Sequence, residues 1–112
     1  MTNLERLKVE LSGKEYFLDE VYSMYLEENA LNPAENYDKA TNQKELLYTV
    51  IDVLESLSND IDLFRSVKTE FLSTGEAYKY LEKRINDINK RILALPNDEG
   101  DTDSNFSNMY YN

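Results

Sequence analysis

The side chains in this chain that could do chemistry are carboxylates and tyrosines. There are 22 Asp and Glu and nine Tyr, but no His and no Cys. Without His the commonest neutral-pH acid/base group and metal ligand is missing. Without Cys there is no thiolate nucleophile, disulfide or thiolate metal site. A carboxylate pair of the glycosidase kind remains chemically conceivable, but the acids fall mostly on polar helix faces. No G-x-G-x-x-G or G-x-x-x-x-G-K occurs, and three scattered glycines build no phosphate-cradling loop. One string looks metal-like: Asp101, Asp103 and Asn105 match positions 1, 3 and 5 of a calcium loop. The sixth place, which needs Gly, holds Phe106, and the twelfth, which needs Glu, holds Asn112. Asn105-Phe106-Ser107 spells a glycosylation sequon with no secretory signal to make it meaningful. The expectation is no enzyme, no cofactor and no metal.

Recognition chemistry is better supplied. Residues 79–91 carry Lys79, Lys83, Arg84, Lys90 and Arg91 against Glu82 and Asp87, a local balance of five bases to two acids. Residues 1–38 carry nine acids against three bases, and the net charge is −10. That balance disfavours a phosphate-backbone or anionic-lipid partner, which needs clustered cations. An ordinary solvated helix surface explains such segregation as well. The functional reading is a head-to-tail contact between copies, which closes into a ring when the rotation allows. Of the tyrosines, helical spacing places Tyr22, Tyr25 and Tyr48 in or beside the core. Tyr78 and Tyr80 stand two apart and cannot share a helix face.

The last sixteen residues pose a separate question. Positions 97–105 are only Asn, Asp, Glu, Gly, Thr and Ser, a composition unable to offset its own ordering. Then "FSNMYYN" places Phe106, Met109, Tyr110 and Tyr111 within seven positions. Fixing eight residues costs roughly 8–16 kcal/mol of backbone entropy. Burying four large side chains returns roughly 6–12 kcal/mol. The balance is near zero alone and becomes favourable with a partner's hydrogen bonds or with many arms acting together. Residues 97–112 are therefore expected to be a flexible or extended C-terminal arm, and residues 1–96 a helical domain.

The elements that must position these groups are helices. Thr2 and Glu5 form a capping box for a first helix over 3–12, with Gly13 as its C-terminal cap. Asp19 is expected to N-cap a second helix whose stripe is Val21, Tyr22, Tyr25 and Leu26. Asn32-Pro33-Ala34-Glu35 reads as a further start signal. From Ala40 to Ser58, apolar residues recur widely enough for a central helix buried on more than one side. A short helix at 61–67 brings Phe64 and Val67 to the core. Ser73 and Glu76 form another capping box, opening a helix over 75–94. Leu81, Ile85, Ile88, Ile92 and Leu95 make its heptad seam, and Pro96 stops it. The fold class is all-α, a bundle of about four helices with an extended C-terminal tail. No apolar run approaches the roughly 20 residues of a membrane span, so a soluble, cytoplasmically made chain is expected.

The segments "TNLERLKVELSGKEYFLDEVYSMYLEENALNP", "ATNQKELLYTVIDVLESLSNDIDLFRSV" and "AYKYLEKRINDINKRI" resemble small all-helical head–tail connector (head-completion, adaptor) proteins of tailed bacteriophages infecting Gram-positive hosts. The resemblance spans about residues 2–95 and rests on helix order, length and general wording. It implies a non-catalytic virion component that binds no cofactor. Such proteins form a ring, usually of twelve copies, between the portal protein and a tail-side neck or stopper protein. DNA passes through without specific binding. On this reading the acidic-to-basic asymmetry joins neighbouring subunits and the arm clasps the portal. The alternative from another class is a small acidic inhibitor or DNA mimic that occupies a basic host protein.

Overall fold

A computed structural model describes residues 1–96 of the chain. Within them the backbone forms five helices: α1 (Asn3–Glu10), α2 (Asp19–Glu28), α3 (Lys39–Ser58), α4 (Ile61–Val67) and α5 (Thr74–Leu93). The all-α class holds, and the described body is a flattened slab of 47 × 32 × 17 Å, about two helix diameters thick. α3 is the central element and packs against each of the other four. Its buried residues include Leu46, Leu47, Val50, Val53, Leu54 and Leu57, an apolar surface too wide for one neighbour. Thr49 is also buried there, its hydroxyl donating to the Glu45 carbonyl at 2.8 Å.

The expected capping box forms in full at α1 and in half at α5, where Glu76 bonds the residue before the N-cap instead of Ser73 itself. Thr2 and Glu5 exchange side-chain and backbone hydrogen bonds at the start of α1. Ser73 Oγ accepts from the Glu76 N–H at 3.1 Å at the start of α5, while Glu76 reaches back to the Leu72 N–H at 2.9 Å. The heptad seam also forms: Leu81, Ile88 and Ile92 are buried, with Ile85 and Leu95 packed against the core. Helix α4 covers 61–67, and Phe64 is its buried anchor. Phe64 stacks on Phe71 at 5.5 Å and on Tyr80 at 6.1 Å between ring centroids.

Several local expectations are corrected. Helix α1 ends at Glu10 rather than residue 12, because the chain reverses through two left-handed residues, Ser12 (φ 60°) and Gly13 (φ 71°). The Gly13 N–H bonds the Lys8 carbonyl and the Ser12 N–H bonds the Val9 carbonyl. That is a Schellman closure in which Ser12, not Gly13, holds the first left-handed position. The same closure ends α2, with Ala30 at φ 65° and the Leu31 N–H bonded to the Leu26 carbonyl. Asp19 is not the N-cap of α2. Leu18 holds that extended position without a side-chain bond, and Asp19, the first helical residue, pairs instead with Lys8 at 2.7 Å.

No helix starts at Pro33. The Pro33 and Glu35 carbonyls accept the Leu4 and Asn3 N–H groups, and the Tyr37 N–H bonds the Met1 carbonyl. The 31–38 segment thus satisfies donors that the first turn of α1 cannot satisfy internally. Helix α3 begins one residue early, at Lys39, because Asp38 caps the Ala40 N–H at 3.0 Å. Tyr22 is fully buried as expected, but Tyr48 is 42% exposed. On α3 it lies outside the buried set formed by Leu47, Val50, Ile51 and Leu54.

Candidate functional site

The sequence-predicted cations all lie on α5, and the structure divides them. At about 100° per residue, Ala77, Leu81, Ile88 and Ile92 form the buried stripe. Arg84 and Arg91, seven residues apart, flank that stripe and reach Glu10 at the end of α1. Arg91 donates to both carboxylate oxygens at 3.2 and 3.3 Å. Arg84 donates to the Glu10 carbonyl at 3.1 Å and stands 3.6 Å from its carboxylate. Arg6, one turn back on α1, closes the set at 2.9 Å. The Glu10 side chain is only 9% exposed. Burial pushes its carboxyl up, but the Arg91 and Arg6 hydrogen bonds and charges outweigh burial and hold it below the usual carboxylate value. The Arg6 guanidinium also sits 5.4 Å from the centre of the Tyr37 ring.

Lys79, Lys83 and Lys90 take the other side. They point away from the buried stripe and are exposed. Lys83 pairs with Asp87 at 2.9 Å, and that hydrogen bond lowers the Asp87 carboxyl. Among the described residues, Lys79 and Lys90 have no salt bridge. The five candidate interface residues therefore divide: Arg84 and Arg91 turn along the flank of α5 to Glu10, and the three lysines point away from the core.

Beside the lysines, about 100° round α5, Tyr78, Glu82 and Ile85 line an open groove. Its other wall is the C-terminal end of α3, with Glu55, Ser58 and Asn59. The groove measures about 360 Å³, within the roughly 300–1,000 Å³ of ligand-sized clefts. Tyr78 is 50% exposed in its wall. Tyr80 lies on another face of α5, against Phe71 at 5.2 Å and with the Lys68 ammonium 5.2 Å from its ring centre. The expected separation of Tyr78 from Tyr80 is thus realised. A second hollow, about 20 Å³, lies among Tyr16, Phe64, Lys68 and Arg84.

The acidic side of the asymmetry is concentrated on α2. Asp19, Glu20, Glu27 and Glu28 are all exposed, and that helix contains no base. Sequence reasoning missed two things here. No local pattern marks Glu10 as the hub of the cations, and the Glu55–Glu82 groove has no signal because its walls lie on different helices. The one hint of the hub was the seven-residue interval between Arg84 and Arg91, which puts both on one helix flank.

The arm residues Phe106, Met109, Tyr110 and Tyr111, the calcium-like string and the sequon lie outside the described residues. Among the described residues no group of three or more His, Cys, Asp or Glu is arranged to hold a metal. None of the described helices is long and apolar enough to cross a membrane. Compared with protein-family models, curated proteins and solved structures, the chain matches none of them.

Proposed function

We propose that this chain is a structural subunit of a virion neck, a head–tail connector that repeats as a ring between portal and tail. The observation that carries this reading is the division of charge on a thin helical body. Lys79, Lys83 and Lys90 are presented outward on α5, while exposed carboxylates stand on other surfaces: Glu20, Glu27 and Glu28 on α2, and Glu55 and Glu82 on the walls of the α3–α5 groove. A subunit with opposite charges on separate faces is built for heterologous repetition, in which one copy's surface meets a different surface of the next. The sequence resemblance to connector proteins supplies the setting. In it the 97–112 arm docks on the portal or a neighbouring subunit through Phe106, Met109, Tyr110 and Tyr111.

The test is to mix the full chain with portal rings from tailed phages of Gram-positive hosts, in parallel with a chain ending at Pro96, and to image the products. A second ring stacked on the portal, lost on truncation, is the expected result. Equal binding by both chains refutes the arm. No binding by either, together with a monomer that competes with DNA for a basic protein, supports the inhibitor reading instead.

A further inference from the structure

We infer that the groove between the C-terminal end of α3 and α5 is the acceptor for a second copy of this chain, and that its occupant is the neighbour's Lys79–Lys83–Lys90 stripe. The inference rests on the ring reading for its setting and names the contact that would build it.

Three features of the groove select a cation. Glu55 and Glu82 stand on opposite walls, both exposed, and neither has a salt bridge among the described residues. One wall is the C-terminal end of a 20-residue helix, which carries about half a negative charge. Helices commonly offset that end with Lys or Arg in the last turn, and α3 has none there. The third feature is the half-exposed Tyr78 ring, whose face can accept an ammonium. An acidic occupant, such as the 97–112 segment with its four acids and no base, is disfavoured by the same charges.

The occupant is argued from the other surface of the same helix. Lys79, Lys83 and Lys90 lie along one stripe at intervals of four and seven residues. That stripe points almost directly away from the core, so it is placed to reach a neighbour. Donor stripe and acceptor groove are different surfaces of one subunit, so the contact is heterologous. An open assembly therefore keeps one free stripe at one end and one free groove at the other until it closes.

A charge swap in the full chain tests the contact. One variant reverses the groove (Glu55→Lys with Glu82→Lys) and the other reverses the stripe (Lys79→Glu with Lys90→Glu). All four positions are exposed, and Lys83 is left on Asp87, so circular dichroism should show both variants folded. Sedimentation velocity is run at several hundred micromolar in low and high salt. The expected result is self-association of the natural chain that weakens with salt. Each variant alone should associate roughly tenfold more weakly or worse. An equal mixture should recover association, because each reversed groove then meets a reversed stripe.

A natural chain that stays monomeric under these conditions overturns the inference. So does wild-type association by either variant, or a mixture no stronger than its components. The portal-binding assay separates the two readings. Self-association with this charge signature but no portal binding keeps the groove and refutes the connector. Portal binding with charge-insensitive association does the reverse.

Discussion

Replacing Glu10 by Gln is the most direct test of how the described body holds together. The side chain is 9% exposed and meets three guanidiniums, Arg6 at 2.9 Å, Arg91 at 3.2 Å and Arg84 at 3.6 Å. Gln keeps the volume and some hydrogen bonding but removes the charge, leaving three cations facing one another. Breaking a fully buried pair costs about 3–5 kcal/mol. Here the arginine side chains are 26–41% exposed, so solvent screens part of the loss and about 2–3 kcal/mol is expected. At about 4–8 °C per kcal/mol for a domain of this size, the melting temperature should fall by roughly 10–20 °C.

The pH dependence follows from the depressed carboxyl of Glu10. A folded-state value below the unfolded one, about 4.3, gives stability that is present above the unfolded value. It is lost as pH falls through the folded one. Urea denaturation of both proteins at pH 7 and pH 3.5 should therefore show the full gap at pH 7 and a narrowed gap at pH 3.5. A gap below about 0.5 kcal/mol at pH 7, within the range of an ordinary surface change, would refute the hub. An equal gap at both pH values would show that the charge is not what matters.

Three further outcomes are expected. Tyr22→Phe removes a buried hydroxyl that accepts from the Tyr16 N–H at 3.0 Å and donates to the Lys14 carbonyl at 3.3 Å. It should cost about 1–3 kcal/mol and speed amide exchange at Tyr16 more than at core positions of α3 such as Val50. Tyr16, pushed up to about 12 by burial and by neighbours that include Tyr80 and Tyr22, favours folding below its unfolded value near 10. That contribution is lost as pH rises from about 10 to 12, so ultraviolet titration of Tyr16→Phe should lack a late-titrating phenol that the natural chain shows. Ala30→Gly should stabilise by about 0.5 kcal/mol in urea denaturation. The left-handed φ of 65° costs alanine about 1–2 kcal/mol, of which glycine's extra unfolded-state entropy returns roughly half or more.

The legible parts of this fold are those written in adjacent residues. Thr2 with Glu5 and Ser73 with Glu76 each specify a helix start within four positions, and the Leu81–Ile92 spacing specifies a buried face. What was not legible needs knowledge of what arrives from elsewhere. Asp19 has the right chemistry for an N-cap, yet Lys8 takes its carboxylate. Pro33 has the right form for a helix start, yet the first turn of α1 takes the carbonyls around it. Tyr48 has the spacing of a core residue on α3, but packing on that helix selects other positions. The Glu10 hub joins residues 74 and 81 positions apart, a separation at which no local pattern speaks.

The two kinds of cation on α5 are suited to two different tasks. Arginine's planar fork engages a carboxylate through two bonds and is weakly hydrated, so it tolerates partial burial. Arg91 does this with Glu10, donating to both oxygens. Lysine is a hydrated point charge on a flexible stem, suited to a surface that must stay wet until a partner comes. With the tasks divided in this way, stability and association should respond to different residues. Glu10→Gln should lower the melting temperature and leave the salt-dependent association of the folded protein intact. Lys79→Glu, which lies outside the last turn of α5, should weaken association and change stability by less than about 0.5 kcal/mol. Measuring both quantities on both variants gives four numbers, and the division requires two to change and two to hold. If either variant moves both quantities together, α5 carries a single electrostatic network and its outer lysines are not reserved for a neighbour.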